Sequence, residues 1–235
     1  MPNKPSKRYR KALEQVDGKI TYALKSAVEV LAKFPKAKFN ETVEVAFKLG
    51  VDPKQSDQMV RGTVPLPHGS GKTVKVLVFA RDGVAADAAR AAGAEFVGYE
   101  DMIKKCVEGW TDFDVAIATP EAMVEVRKLG KVLGPRGLMP NPKTGTVTED
   151  TARAVKEVKA GRVEFKLDKA GNVHVPIGKI SFTPIQLAEN ARVVIEAVTK
   201  ARPASVKGSY LQSCTLSATM SPPVRVDVRE FLAVS

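Results

Sequence analysis

Pro65-Leu66-Pro67-His68-Gly69-Ser70-Gly71-Lys72-Thr73 can be taken in two ways, and each gives a different molecule. The ending Gly71-Lys72-Thr73 suggests a phosphate-cradling loop. Such a loop needs a glycine five residues before Gly71, so that the backbone can wrap the phosphates. Leu66 stands there. The loop must also follow a strand and open a helix, whose N-terminus holds the anion. Here the order is reversed, because the apolar, β-branched run Val74–Ala80 comes next. Two prolines fix φ on one side of the stretch and two glycines free it on the other. That composition suits a chain leaving one compact unit and entering another. Pro67, Gly69 and Gly71 therefore mark a hinge, and Ala160-Gly161 marks the return.

The inserted segment has its own texture. Val74–Ala80 and Asp114–Ala118 are continuous apolar strands of the kind buried on both faces. Between them come an alanine-rich helix over 84–92, a short strand at 95–97 and a helix over 101–107. Thr119-Pro120 caps and opens a further helix. Alternating strands and helices predict a parallel sheet with helical crossovers. Arg81-Asp82-Gly83 lacks the glycine fingerprint of a dinucleotide site. Gly134 to Thr146 holds three prolines and three glycines, which forbid helix and central strand. It is either an ordered surface loop closing the inserted domain or a basic contact through Arg136 and Lys143, the former preferred, and a helix over 149–160 carries the chain back.

The flanks follow a different rhythm. Thr21–Phe34 has helical spacing and stops at Pro35. Val43, Val45, Phe47 and Leu49 alternate with Thr42, Glu44, Ala46 and Lys48, the pattern of a half-buried strand. A short strand at 60–66 ends at the hinge. Val163, Phe165 and Leu167 alternate again, and 168–172 predicts a hairpin turn with its return strand at 173–177. A long helix starts at Pro184 and ends at Pro203. Strands at 209–219 and 224–228 close the chain. The N-terminal stretch carries Lys4, Lys7, Arg8, Arg10 and Lys11 and is either a solvated tail or an electrostatic arm for phosphates.

Composition narrows the function. The chain has 235 residues, is 44% hydrophobic and carries a net charge of +11. An acidic partner follows, with nucleic acid first among the candidates. Residues 69–159 hold 14 Lys and Arg against 13 Asp and Glu, out of 37 and 26 in all, so the outer segments carry +10 of the +11. Charge confined to one domain points to a polyanion-binding face. Cys106 and Cys214 make no disulfide framework and suggest a reducing compartment. With only His68 and His174, no metal cluster is expected. No apolar run reaches membrane-spanning length, and no secretory or transit segment is visible.

Lys38-Phe39-Asn40-Glu41-Thr42-Val43-Glu44, Arg61-Gly62-Thr63-Val64, Gly134–Thr146, Gly161-Arg162-Val163-Glu164-Phe165 and Thr219-Met220 together resemble the bacterial-type large-subunit ribosomal protein L-one family. The resemblance runs through essentially the whole chain. It implies a discontinuous α+β domain that binds RNA, residues 1–68 with 160–235, and an inserted Rossmann-like three-layer α/β domain, 69–159. It implies no catalysis and no cofactor. It implies a cytoplasmic protein, monomeric within the ribosome, that holds large-subunit ribosomal RNA at the mobile stalk. It further implies help in releasing deacylated tRNA from the exit site and repression of the chain's own operon mRNA. The RNA contacts carried over are Lys38, Phe39, Glu41, Thr42, Asp168, Lys169, Ser213, Thr219, Met220 and Ser221. Glycine is usual in the family where Ser221 stands. Ser221 therefore either keeps a backbone conformation open to L-residues or alters the contact. The short hydroxyls of Thr42, Ser213 and Thr219 suit ribose 2′-OH groups. Phe39 and Met220 would shield those bonds. An enzyme holding nucleotide in the inserted domain is the rival reading.

Overall fold

The computed structural model describes residues 5–232. Two compact units emerge, one made of the chain up to Gly71 together with the chain from Val163 on, the other of Lys72–Arg162. The division falls after Gly71 rather than His68, and after Arg162 rather than Lys159.

The first unit begins with helix α1 (Lys7–Leu13) and helix α2 (Leu24–Lys33), followed by strands β1 (Thr42–Leu49) and β2 (Arg61–Pro65). Helix α1 was not foreseen in the basic N-terminal stretch. Ser6 caps it, its hydroxyl accepting from the Tyr9 amide, and Ala12 is buried beneath it. Lys4 lies outside the described residues.

The second unit runs β3 (Val76–Phe79), α3 (Val84–Ala91), β4 (Phe96–Gly98), α4 (Glu100–Val107), β5 (Val115–Ala118), α5 (Met123–Val126), α6 (Gly130–Leu133) and α7 (Thr151–Lys159). Its strands form a parallel sheet in the order β4-β3-β5. Both faces are buried, which is why β3 is an unbroken apolar run. Leu77, Phe79, Ala116 and Ala118 pack with Cys106 and Leu133 on one side. Val76, Val78 and Ile117 pack with Ala86, Ala89 and Val155 on the other. The helix expected from Thr119 is broken. Thr119 Oγ1 does accept from the Ala122 amide, but a 3-10 turn at Arg127–Leu129 separates α5 from α6. The Gly134–Thr146 segment is not merely a loop over the surface. Its end pairs with β5 through the Ala118–Val147 bridge, and Thr144 is buried.

The chain then completes the first unit with β6 (Arg162–Lys166), β7 (Asn172–Lys179), α8 (Pro184–Lys200), β8 (Leu211–Ala218), β9 (Val224–Val226) and α9 (Arg229–Leu232). The expected β6–β7 hairpin is corrected. Its turn exists, with the Leu167–Val173 bridge beside it, but among the described residues β6 and β7 belong to different sheets. β6 pairs with β2 in a two-stranded sheet, and β7 joins the antiparallel sheet β7-β1-β8-β9. Val43, Val45, Phe47 and Leu49 face the core, where α2 and α8 cover the sheet through Val28, Leu31, Ala191, Val194 and Ile195. Helix α8 starts on a full capping box: Thr183 accepts from the Gln186 amide, and Gln186 reaches back to the Thr183 amide.

The hinge residues belong locally to their own units. Asn190 is fully buried on α8; its Oδ1 accepts from the His68 amide, and its Nδ2 donates to the carbonyls of Gly69 and Ile177. Gly71 has φ +68, and a Cβ there would meet Lys179 Cγ at 2.9 Å and the Phe182 ring at 2.9 Å, so a side chain is barred twice over. On the return crossing, the amides of Ala160 and Gly161 close the end of α7.

Candidate nucleic-acid interface

The face of β7-β1-β8-β9 opposite the helices is the place to look, because its outward residues are polar in row after row. β1 sets the rows. Thr42 stands opposite Lys179, and Glu44 opposite Ser217 and Pro176. Ala46 stands opposite His174 and Thr215, with Arg225 beyond, and Lys48 opposite Ser213 and Asn172. Six residue steps separate Thr42 from Lys48, about 20 Å at the usual strand rise.

The sequence-derived residues gather at the two ends of that face. At the Thr42 end, β8 runs out into Thr219-Met220-Ser221. The Thr219 hydroxyl accepts from the Thr42 amide at 3.1 Å and donates to the Thr42 carbonyl at 3.3 Å. An oxygen so engaged keeps one lone pair for an outside donor. The Thr42 hydroxyl accepts from Lys179 Nζ at 2.7 Å, so its proton is directed away from that ammonium. Phe39 and Met220 stand beside these groups, each 53% exposed. Lys38 is exposed on the same loop.

Two residues hold places that the sequence did not reveal. Glu41 is 3% exposed, so it is a bracket inside the site and presents no surface of its own. Its carboxylate accepts from the amides of Met220 and Ala37 and from the Arg8 guanidinium. Ser221 keeps a backbone conformation open to any L-residue, since no non-glycine among the described residues has positive φ. Its hydroxyl accepts from the Ala218 amide at 2.8 Å and closes the turn at the end of β8.

At the other end, Asp168 and Lys169 are exposed in the turn, and Ser213 is exposed on β8. Asp168 is spent on the turn itself. Its carboxylate accepts from the amides of Asn172 and Ala170, and the Asn172 bond above all holds it below the usual carboxylate range. Lys48 joins this turn to Ser213: its ammonium donates to the Ala170 carbonyl, and its backbone pairs with Ser213. A shallow pocket lined by Ser213, Thr215, Arg225 and Arg229 lies alongside. Lys48, Lys179 and Arg225 are cations on this face that sequence reasoning passed over, and His174 stands among them. Their signal was present in the strand alternation of β1, which placed Lys48 outward; the others needed the strand pairing.

Cys106 and Cys214 are buried thiols in the cores of different units. Among the described residues there is no group of three or more His, Cys, Asp or Glu placed to hold a metal ion, and no helix long and apolar enough to cross a membrane.

A discontinuous α+β unit with an open, cation-bearing sheet face, interrupted by a parallel α/β unit, defines a class: a two-domain protein with a basic outer unit. The model of the Ribosomal protein L1p/L10e family matches residues 31–222. The chain belongs to that family. It is a structural ribosomal protein of the large subunit, associated with ribosomal RNA, and the family is not one of enzymes. Helix α1 lies outside the matched region.

Proposed function

We propose that large-subunit ribosomal RNA lies along the bare face of β7-β1-β8-β9. The Thr42–Thr219 end would take ribose hydroxyls, and the Lys48–Ser213 end would take the backbone beyond. The observation that carries this is the Thr42–Thr219 pair, two hydroxyls already oriented by protein partners beside the open Phe39 and Met220. A proton to give and a lone pair to receive match the 2′-OH, which is both donor and acceptor and distinguishes RNA from DNA. The family resemblance implies RNA contacts at Lys38, Phe39, Thr42, Asp168, Lys169, Ser213, Thr219, Met220 and Ser221, with Glu41 as their bracket.

The finer roles rest on that face and on the two crossings. Help in releasing deacylated tRNA from the exit site at the mobile stalk is supported by a pair of connecting strands, which constrain twist but permit opening. Repression of the chain's own mRNA is supported by the economy of one face: a messenger imitating the ribosomal site would compete for it. Nuclease protection of large-subunit ribosomal RNA by the full chain tests the first claim, with a 2′-deoxy version of the protected segment as competitor. RNA should compete at least tenfold better than its deoxy form. Equal competition would reduce the face to generic polyanion binding, and protection of the messenger leader that ignores added ribosomal RNA would remove the repressor role.

A further inference from the structure

We infer that Arg8 of helix α1 is a positioning residue for the RNA face, and that the N-terminal helix is a working part of the site. The inference rests on the reading of that face given above. The guanidinium spans three acceptors brought together from different parts of the chain. It donates to the Met220 carbonyl at 3.2 Å, to the Pro35 carbonyl at 3.5 Å and to Glu41 Oε1 at 3.5 Å. Glu41 in turn takes the Met220 amide at 3.1 Å. Both backbone polar groups of Met220 are thus held, one by Arg8 and one by the carboxylate that Arg8 neutralises. Met220 is otherwise an exposed residue at a strand end, with nothing in its own side chain to fix it. The loop that presents Phe39 runs from Pro35 to Glu41, and Arg8 grips both ends of it.

Arginine is needed there for its shape. A planar fork can reach three separate acceptors at once, whereas an ammonium on a flexible stem is a point charge. Glu41 also requires the pairing, since a buried carboxylate without a partner is costly. The Arg8 side chain is only partly exposed, and its Nη1 and Nη2 groups donate to protein acceptors. It is therefore placed to act through Met220 and Glu41.

The test uses the full chain with Arg8→Met and Arg8→Lys, and a transcript of the ribosomal RNA segment that the parent protects. Three readouts are taken: affinity across a salt series, melting temperature, and exchange of the Met220 amide in the free protein. Both variants should bind about tenfold or more weakly; Arg8→Lys, which keeps a cation beside Glu41, should melt within a few degrees of the parent, and Arg8→Met, which leaves that carboxylate without it, should melt earlier. Both should exchange the Met220 amide faster and keep the parent's salt slope. Parent-like binding by Arg8→Lys would overturn the inference, because charge alone would then suffice. So would a slope smaller by about 0.7–0.9 with Met220 exchange unchanged, the mark of one lost phosphate contact. The exchange readout needs no RNA, so an intact bracket in a parent that fails to bind would sink the reading of the face and leave the bracket standing.

Discussion

Thr219 shows how one hydroxyl can serve two partners. Its oxygen holds Thr42 at both amide and carbonyl and still has a lone pair outward. Thr219→Val therefore touches stability as well as binding. Each such bond is worth about 0.5–1.5 kcal/mol net, so calorimetry should show about 1–2 kcal/mol less stability. RNA titration should show about ten- to a hundredfold weaker binding, since about 1.4 kcal/mol is tenfold. Thr219→Ser should restore both; a valine variant that melts early yet binds normally would take the residue out of the interface. Ser221→Gly restores the family's usual residue at a cost. It deletes the hydroxyl that closes the β8 turn, so binding should weaken a few-fold, with faster exchange at the Ala218 amide. Burial also sets a pH limit. It pushes the Cys214 thiol and the Tyr210 phenol each up to about 12. In the unfolded chain these groups ionise near 9 and 10, so between those values and 12 the folded state holds more protons. Their contribution is fully present below pH 9 and is lost as pH rises towards 12. The melting temperature should be level through neutrality and fall beyond pH 9; a flat alkaline limb would mean that neither group stays protonated in the fold.

At the scale of elements, local rules placed most of the chain. Alternation in β1, helical spacing in α2 and α8, and the double-sided burial of β3 were all visible in the residues. The partner of β6 was not, because its periodicity fits a hairpin with β7 as well as it fits pairing with β2. Pairing is decided by what the long segment between Pro65 and Arg162 allows the chain to reach. Helix α1 was hidden by its charge: Lys7, Arg8, Arg10 and Lys11 give it no apolar stripe, and Ser6 with Ala12 is a thin signal. Asn190 shows an element being fixed by its neighbours. Asn190→Leu keeps the size but strips partners from the His68 amide and from the Gly69 and Ile177 carbonyls. Buried unpaired groups cost about 1–3 kcal/mol each, so the variant should lose at least about 2 kcal/mol in denaturant unfolding, and the His68 amide should exchange faster. Unchanged His68 exchange would show that the connecting strand is held by something else.

For the whole molecule, the decisive quantity is where the charge lies. Nearly all of the +11 belongs to the outer segments. Residues 1–71 joined to 163–235 by a short linker should therefore keep most of the RNA affinity, while Lys72–Arg162 alone should keep little. Retention by the inserted unit alone would invert the division of labour. Binding should weaken with salt on a log–log slope of only a few units, given about 0.7–0.9 per phosphate neutralised. A slope near ten would mean that the hydroxyls contribute nothing to recognition. The sequence by itself determined the two units, the parallel sheet of the insert, the basic outer unit and the family, because these follow from short-range periodicity, punctuation and charge, which survive in one dimension. Only the tertiary structure decided that the Thr219 hydroxyl bonds the Thr42 backbone, that Glu41 is a buried bracket, and that Arg8 grips Met220 from far along the chain. Those facts are contacts between distant segments, and nothing in local spacing encodes which buried carboxylate a remote arginine will meet.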